Sequence, residues 1–140
     1  MSLSGSTVVV LAYPGYQEVE FWYPVFRARE EGAHVVIVSA DDACESFLGY
    51  PVVGDEAAVD VSGADVAVLV APGTVRGDDT ASPAQRDLIR RVHAAGGRLY
   101  ASGSGADLIR GVTGEEPAGS VEGPDSVGEL FRALMADSAA

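Results

Sequence analysis

The sequence predicts a three-layer α/β sandwich built on a mainly parallel sheet. Two observations predict it. Short, continuously apolar, β-branched runs recur along the chain, as strands buried on both faces of a sheet require. Segments with helical apolar spacing alternate with these runs across short links, the pattern that lays helices on the faces of a parallel sheet. With 140 residues, 47% of them hydrophobic, the chain suits one domain spanning residues 1–140 with a sizeable core.

The elements follow in order. Thr7, Val8, Val9, Val10, Leu11 and Ala12 form the first buried strand, and Pro14 and Gly15 turn the chain after it. Val19, Trp22, Tyr23 and Phe26 then fall at i, i+3, i+4 and i+7 and predict a helix with these residues as its apolar stripe. Pro24 is expected to kink or restrict that helix, and Gly32 to end it. Val35 to Val38 form the second strand, followed by a loop through Asp41, Asp42 and Cys44 and a small hairpin over residues 47–53. Val66 to Val70 form the third strand, ending at Pro72-Gly73.

Ser82, Pro83 and Gln85 carry a capping signature for a helix whose buried stripe is Leu88, Ile89 and Val92, stopped by Gly96-Gly97. The fourth strand, residues 98–102, runs into Gly103-Ser104-Gly105 and a short helix through Leu108 and Ile109. Residues 111–125 are rich in Gly, Glu and Pro and read as loop. A last amphipathic helix presents Val127, Leu130, Phe131, Leu134 and Met135, with Ser126 and Glu129 as a second capping box. In such a sheet ligands bind beyond the carboxyl ends of the strands. Residues 13–20, 71–76 and 102–105 converge there.

Charge and composition exclude several functions. Nine basic against 21 acidic residues give a formal charge of −12, which repels phosphate backbones and anionic lipid. Neither nucleic acid nor a membrane is therefore an expected partner. No apolar run approaches the roughly 20 residues of a membrane span. The opening residues 1–6 have no basic region and no long apolar segment, so they read as a disordered leader and not as a secretory signal. A single cysteine, Cys44, excludes an internal disulfide and a multi-cysteine zinc site, and makes a cytoplasmic location the default. No metal-ligand spacing, dinucleotide fingerprint or P-loop is present, so neither a metal nor a cofactor is expected.

The segments "VVVLAYPGYQEVEFWYPVFRAREEGAHVVIVSAD", "ADVAVLVAPG", "GGRLYASGSGADLI" and "GPDSVGELFRAL" together resemble the ThiJ/PfpI family of the class I glutamine amidotransferase-like superfamily, in order and over nearly the whole chain. The resemblance implies a flavodoxin-like fold and a homodimer. It places the family's helix glutamate at Glu20 and its Pro-Gly-Gly turn, whose backbone N–H groups face a developing oxyanion, at Pro72-Gly73-Thr74. It places the nucleophilic cysteine at Gly103 and the residue after it at Ser104. Glycine at that position removes thiolate chemistry. The segment over residues 111–125 is also shorter than the family's, which alters a pocket wall or an oligomer surface.

Three functions stay open on these residues. The first is a diverged domain that binds a small molecule without covalent cysteine catalysis, with Tyr16, Gly73, Thr74, Gly103 and Gly105 as ligand-binding positions. The second is non-covalent acid/base catalysis of the hydratase, isomerase or dehydratase type by Glu20, whose apolar neighbours Val19, Phe21 and Trp22 suit a proton donor or shuttle. The third is a residual amidase or peptidase using Ser104, which needs an adjacent base. His34 opens the second strand and His93 flanks the apolar stripe of a helix, so neither is placed to serve; Ser104 as a helix cap is the simpler reading. Cys44 stands among Asp41, Asp42 and Glu45, which disfavour a thiolate. Tyr13, Tyr16 and Tyr100 are candidate pocket walls, Arg76 is a candidate carboxylate partner, and the Gly103-Ser104-Gly105 turn a candidate anion cradle.

Overall fold

The β-branched runs and the helical segments take the expected order in the computed structural model, which describes residues 3–139. The strands are β1 (Thr7–Ala12), β2 (His34–Ser39), β3 (Ala43–Glu45), β4 (Pro51–Val53), β5 (Val66–Ala71), β6 (Arg98–Ser102) and β7 (Gly119–Val121). The helices are α1 (Glu18–Glu30), α2 (Pro83–Ala94), α3 (Gly105–Thr113) and α4 (Val127–Ala139). The main sheet has the order β2-β1-β5-β6-β7 with every pairing parallel, while β3 and β4 form a separate antiparallel hairpin. Leaving out that hairpin, the order is the 2-1-3-4-5 arrangement of flavodoxin-like sheets. β1 has β2 on one side and β5 on the other, so the chain changes direction across the sheet at β1.

Alternate residues of each strand serve opposite faces, which is why the strands read as continuously apolar. Val9, Leu11, Val36, Val38, Leu69 and Leu99 meet Leu88, Ile89, Val92 and Ile109 of α2 and α3. On the other face Val8, Val10, Val68, Val70 and Tyr100 meet Phe21, Val25, Leu130, Phe131 and Leu134 of α1 and α4. Among the described residues no helix is long and apolar enough to cross a membrane.

Several elements differ from the sequence-based expectation. The buried face of α1 is Phe21, Pro24, Val25 and Ala28 with Glu20, while Val19 and Phe26 of the expected stripe are 46% and 54% exposed. Both faces of this helix are apolar, so periodicity finds the helix without telling which face meets the sheet. Pro24 sits inside α1 without ending it; its ring nitrogen has no hydrogen to give the carbonyl of Glu20. Residues 3–6 are not a disordered leader. Leu3 is buried in the core, and Gly5 N–H donates to Gly32 O while Ser6 O accepts from His34 N–H. Residues 1 and 2 lie outside the described residues.

The hairpin begins earlier than expected, at Ala43, so Cys44 is a buried strand residue and not a loop residue. Within residues 111–125, α3 continues to Thr113 and Gly119–Val121 adds an edge strand beside β6. Glycine fits that edge because a Cβ at Gly119 would lie 3.1 Å from the Tyr100 ring. Ser126 ends a 3-10 turn (Pro124–Ser126) that runs directly into α4, so it does not stand in the extended conformation of a capping residue. The first capping box is present. Ser82 Oγ accepts from Gln85 N–H at 3.1 Å and Gln85 Oε1 accepts from Ser82 N–H at 3.0 Å.

Gln85 has a second role that local sequence does not disclose. Its fully buried Nε2 donates to Ala12 O and to Val38 O, each at 2.9 Å, and so ties the carboxyl ends of β1 and β2 together. Gln85→Leu is expected to destabilise the fold by about 1–3 kcal/mol, because two buried hydrogen bonds are lost while Ala12 O keeps the N–H of Ala40. Urea unfolding followed by circular dichroism measures this.

Candidate functional site

The site is built where α1, the turn after β5 and the turn after β6 meet. β6 ends at Ser102, and Gly103 turns the chain with φ +51 before Ser104 enters helical geometry with φ −67. A positive φ strains any residue with a Cβ, so a glycine relieves this sharp strand-to-helix turn. Gly105 follows under a different demand, since a Cβ there would collide with the carbonyl of Ala71. Gly73 is equally constrained: its Cβ would lie 2.9 Å from Glu20 Oε1, 3.0 Å from Ser104 N and 3.1 Å from Ser102 O. The backbone of β5 and β6 can close to this distance only over glycines.

Glu20 faces into this junction from the first turn of α1 and is 5% exposed. Its backbone N–H is capped by Gln17 Oε1 at 2.8 Å. Its Oε1 accepts a hydrogen bond from Gly73 N–H at 2.9 Å. The same oxygen lies 3.2 Å from the point where a Cβ on Gly103 would stand. Glu20 therefore binds the Pro72-Gly73-Thr74 turn and addresses the apex of the elbow at once. It also lines a narrow apolar pocket with Pro24, Val70, Phe131 and Leu134.

Ser104 is neither paired with a base nor a working helix cap. It occupies the N-cap position of α3 with no side-chain capping bond. Its Oγ accepts from Thr74 N–H at 3.0 Å and lies 3.5 Å from Thr74 Oγ1. Both N–H donors of Gly73 and Thr74 are thus engaged by the protein's own side chains. His34 begins β2 at the opposite end of the sheet, and His93 Nε2 stands 3.3 Å from Glu115 Oε2. Gly103 N–H, one donor of the proposed anion cradle, is bonded to Val121 O at 2.9 Å.

The tyrosines expected at the pocket divide. Tyr16 is fully buried, packs its ring on Phe21 at 4.9 Å and donates its hydroxyl to Tyr50 O, so it supports the hairpin from the core and is not a pocket wall. Tyr100 is also in the core, bonded through its hydroxyl to Asp137 Oδ2 on α4. Tyr13 is the one that reaches a cleft. Its hydroxyl donates to Pro72 O at 2.5 Å, and it lines a small cleft with Thr80, Asp78, Ser104 and Leu108. Burial pushes the Tyr13 phenol far above its ordinary range, with Asp79 and Glu20 adding to the effect, so it stays a neutral donor.

A second cleft, of about 230 Å³, lies on the other side of the turn after Thr74. Pro14, Gly15, Phe47, Thr74, Arg76 and Asp78 line it, and the Arg76 guanidinium stands 5.6 Å over the Phe47 ring. Phe47 and Asp78 were not legible as site residues, since an exposed aromatic in a hairpin and an aspartate in a loop are ordinary surface features. Cys44 lies apart from the elbow. Burial raises its thiol pKa first of all; Ser39 partly offsets this and Asp41 adds to it. Among the described residues no three His, Cys, Asp or Glu side chains converge to hold a metal ion.

A flavodoxin-like sheet carrying a sharp strand-to-helix elbow, with a helix glutamate aimed at its apex, defines the class of protein. Comparison with known proteins gives the family. The model of the DJ-1/PfpI family matches residues 6–110, and the chain belongs to that family. An uncharacterized protein of Archaeoglobus fulgidus is 37% identical over 67 residues, a match covering 47% of this chain and 40% of that relative's length. Among solved structures, a cysteine-to-alanine mutant of a DJ-1 superfamily protein from Salmonella typhimurium superposes with a TM-score of 0.78 at 20% identity, covering 96% of this chain and 90% of that one. Oxidized DJ-1 of Toxoplasma gondii gives a TM-score of 0.76 at 19% identity, covering 93% and 89%. The putative protease I of Bacteroides thetaiotaomicron gives 0.78 at 9% identity, covering 93% and 97%. At these identities the structures show the fold alone.

Two outcomes follow from the geometry. Glu20→Ala removes the acceptor of a buried N–H and is expected to cost about 1–3 kcal/mol, whereas Glu20→Gln keeps an acceptor oxygen and costs less; thermal unfolding separates them. The buried thiol of Cys44, with its raised pKa, holds less thiolate at pH 8 than a free cysteine. Its reaction with a disulfide reagent is expected to be slow in the folded protein and fast in denaturant, read by absorbance.

Proposed function

We propose that this chain is a DJ-1/PfpI domain that binds a small molecule without forming a covalent adduct. The observation that carries the reading is the elbow itself. Its apex is Gly103, Glu20 Oε1 lies 3.2 Å from the missing side chain's first atom, and the adjacent Ser104 hydroxyl is bonded to Thr74 N–H with no base beside it. Aligning the family's cysteine with Gly103 supports the absence of thiolate chemistry. The positive φ at Gly103 supports that alignment, because a strained elbow residue is what places a nucleophile at a strand-to-helix turn.

A second reading has its own observation. A buried carboxylate beside the elbow suits a proton donor or acceptor, so Glu20 is proposed as the acid/base group of a hydration, isomerisation or dehydration. A hydrolytic role for Ser104 gains nothing from the geometry. A homodimer is proposed with this function, and the exposed Val19 and Phe26 on α1, with Trp22 stacked on Phe26 at 5.4 Å, are the apolar surface that supports it. A cytoplasmic site of action is proposed alongside.

A panel of small carbonyl, nitrile and amide compounds, tested on the wild type, Glu20→Gln and Ser104→Ala, discriminates the readings. Binding that raises the melting temperature without turnover and without a mass adduct is expected. Turnover lost only in Glu20→Gln would favour acid/base catalysis. An acyl or fluorophosphonate adduct mapped to Ser104 would overturn both non-covalent readings. As a converse test, Gly103→Cys in a Cys44→Ser background places a thiol at the N-terminus of α3, whose amides favour a thiolate, and outside the buried hairpin position of Cys44. It is expected to react with iodoacetamide at least about tenfold faster than native Cys44, seen by intact mass.

A further inference from the structure

We propose that the cleft between Phe47 and the turn after Thr74 binds a small zwitterion, with a carboxylate on Arg76 and an ammonium on Asp78. Its chemical class is that of an α-amino acid. The inference rests on the non-covalent binding reading above and names the ligand class of a cleft that adjoins the elbow at Thr74.

Position comes first. The cleft opens at Pro14 and Gly15, immediately beyond the carboxyl end of β1, where the sheet order reverses between β2 and β5. Ligands of doubly wound sheets bind at this switch point. The cleft shares Thr74 with the elbow, whose Ser104 is bonded to that residue's N–H. At about 230 Å³ it lies below the roughly 300–1,000 Å³ range of ordinary ligand pockets, which restricts it to a small molecule.

Charge comes next. Among the described residues Arg76 is the one basic side chain on this cleft and Asp78 the one acidic side chain. Neither belongs to an ion pair among the described residues, whereas neighbouring Asp79 is paired with Arg86, and Arg27, Arg91 and Arg110 are all paired with acids. Two opposite charges held on one cleft and not joined to each other match a ligand that carries both. The whole-chain charge of −12 acts in the same direction. It repels a simple anion at long range, while a zwitterion approaches without net repulsion and meets one opposite charge at each end. The wider depression lined by Asp41, Asp42, Asp55 and Glu56 has no basic side chain to meet a carboxylate.

Rigidity completes the case. Four hydrogen bonds pin the segment that carries both charges. Val75 N–H donates to Gly15 O at 3.2 Å and Gly77 N–H to Thr74 O at 3.1 Å. Thr74 Oγ1 donates to Asp78 O at 2.8 Å, and Thr80 Oγ1 to Pro14 O at 2.7 Å. The Phe47 ring backs the guanidinium from one side and leaves its fork of donors for a bidentate carboxylate. A backbone held in place before the ligand arrives loses little freedom on binding.

Isothermal titration calorimetry on the full chain tests this with three probes that share one ring: L-phenylalanine, 3-phenylpropionate and 2-phenylethylamine. L-phenylalanine is expected to bind at least about tenfold more tightly than either single-charge analogue, as two charge-assisted contacts against one require. Arg76→Gln is expected to lower L-phenylalanine affinity about tenfold, to the level of the amine, and Asp78→Asn to lower it similarly, to the level of the acid. Both residues are exposed, and an unchanged melting temperature verifies that the variants fold. Equal affinity for all three probes overturns the proposal, as does undetectable binding of L-phenylalanine. Affinity within twofold of wild type in both variants also overturns it. If a compound of the carbonyl, nitrile or amide panel binds and is lost in Glu20→Gln but retained in Arg76→Gln, the ligand class falls while the non-covalent reading stands. A covalent adduct at Ser104 sinks that reading instead.

Discussion

The hydrogen bond from Gly73 N–H to Glu20 Oε1 is the contact on which the rest of the site depends. It joins the first turn of α1 to the end of β5 at a point where backbone, not side chain, must be satisfied. A buried N–H without a partner is costly, and a buried carboxylate without donors more so; each answers the other. The bond also fixes where the carboxylate lies relative to Gly103. Ser104 and Thr74 repeat the device one residue further along each turn.

These two bonds occupy donors that a hydrolytic oxyanion hole would use. An oxyanion hole needs donors that are unoccupied until charge develops. Here the N–H groups of Gly73 and Thr74 already serve Glu20 and Ser104. The serine hydroxyl accepts a bond and has no base to remove its proton. What remains available is a buried carboxylate facing a glycine apex, and beside it a pinned turn that displays one positive and one negative side chain. Such a site supports the proposed non-covalent binding.

The glycines show how closely the backbones approach. Gly73, Gly103 and Gly105 sit within three residues of a strand end, and each answers a different demand. Gly103 supplies a positive φ, while Gly105 and Gly73 make room against Ala71 O and against Glu20 and Ser104. Gln85 applies the same logic on the other side of the sheet, where its amide satisfies the ends of β1 and β2. The carboxyl edge is therefore a surface where backbones approach closely and are satisfied.

The alternation of β-branched runs with helical segments specified the parallel sheet, because strands buried on both faces leave a local signature in composition. Glu20, Gly73, Thr74, Gly103 and Ser104 were legible as neighbours through their places at strand ends and their resemblance to the family. Tertiary structure decided what local pattern does not encode. Which apolar face of α1 meets the sheet, the burial of Leu3 and Cys44, and the edge strand at Gly119–Val121 all depend on partners distant in sequence. So does the bonding of Ser104, whose hydroxyl turns to Thr74 instead of capping its own helix. Periodicity reports which residues share a face; only packing determines what that face touches, because the competing contacts differ in burial and not in spacing.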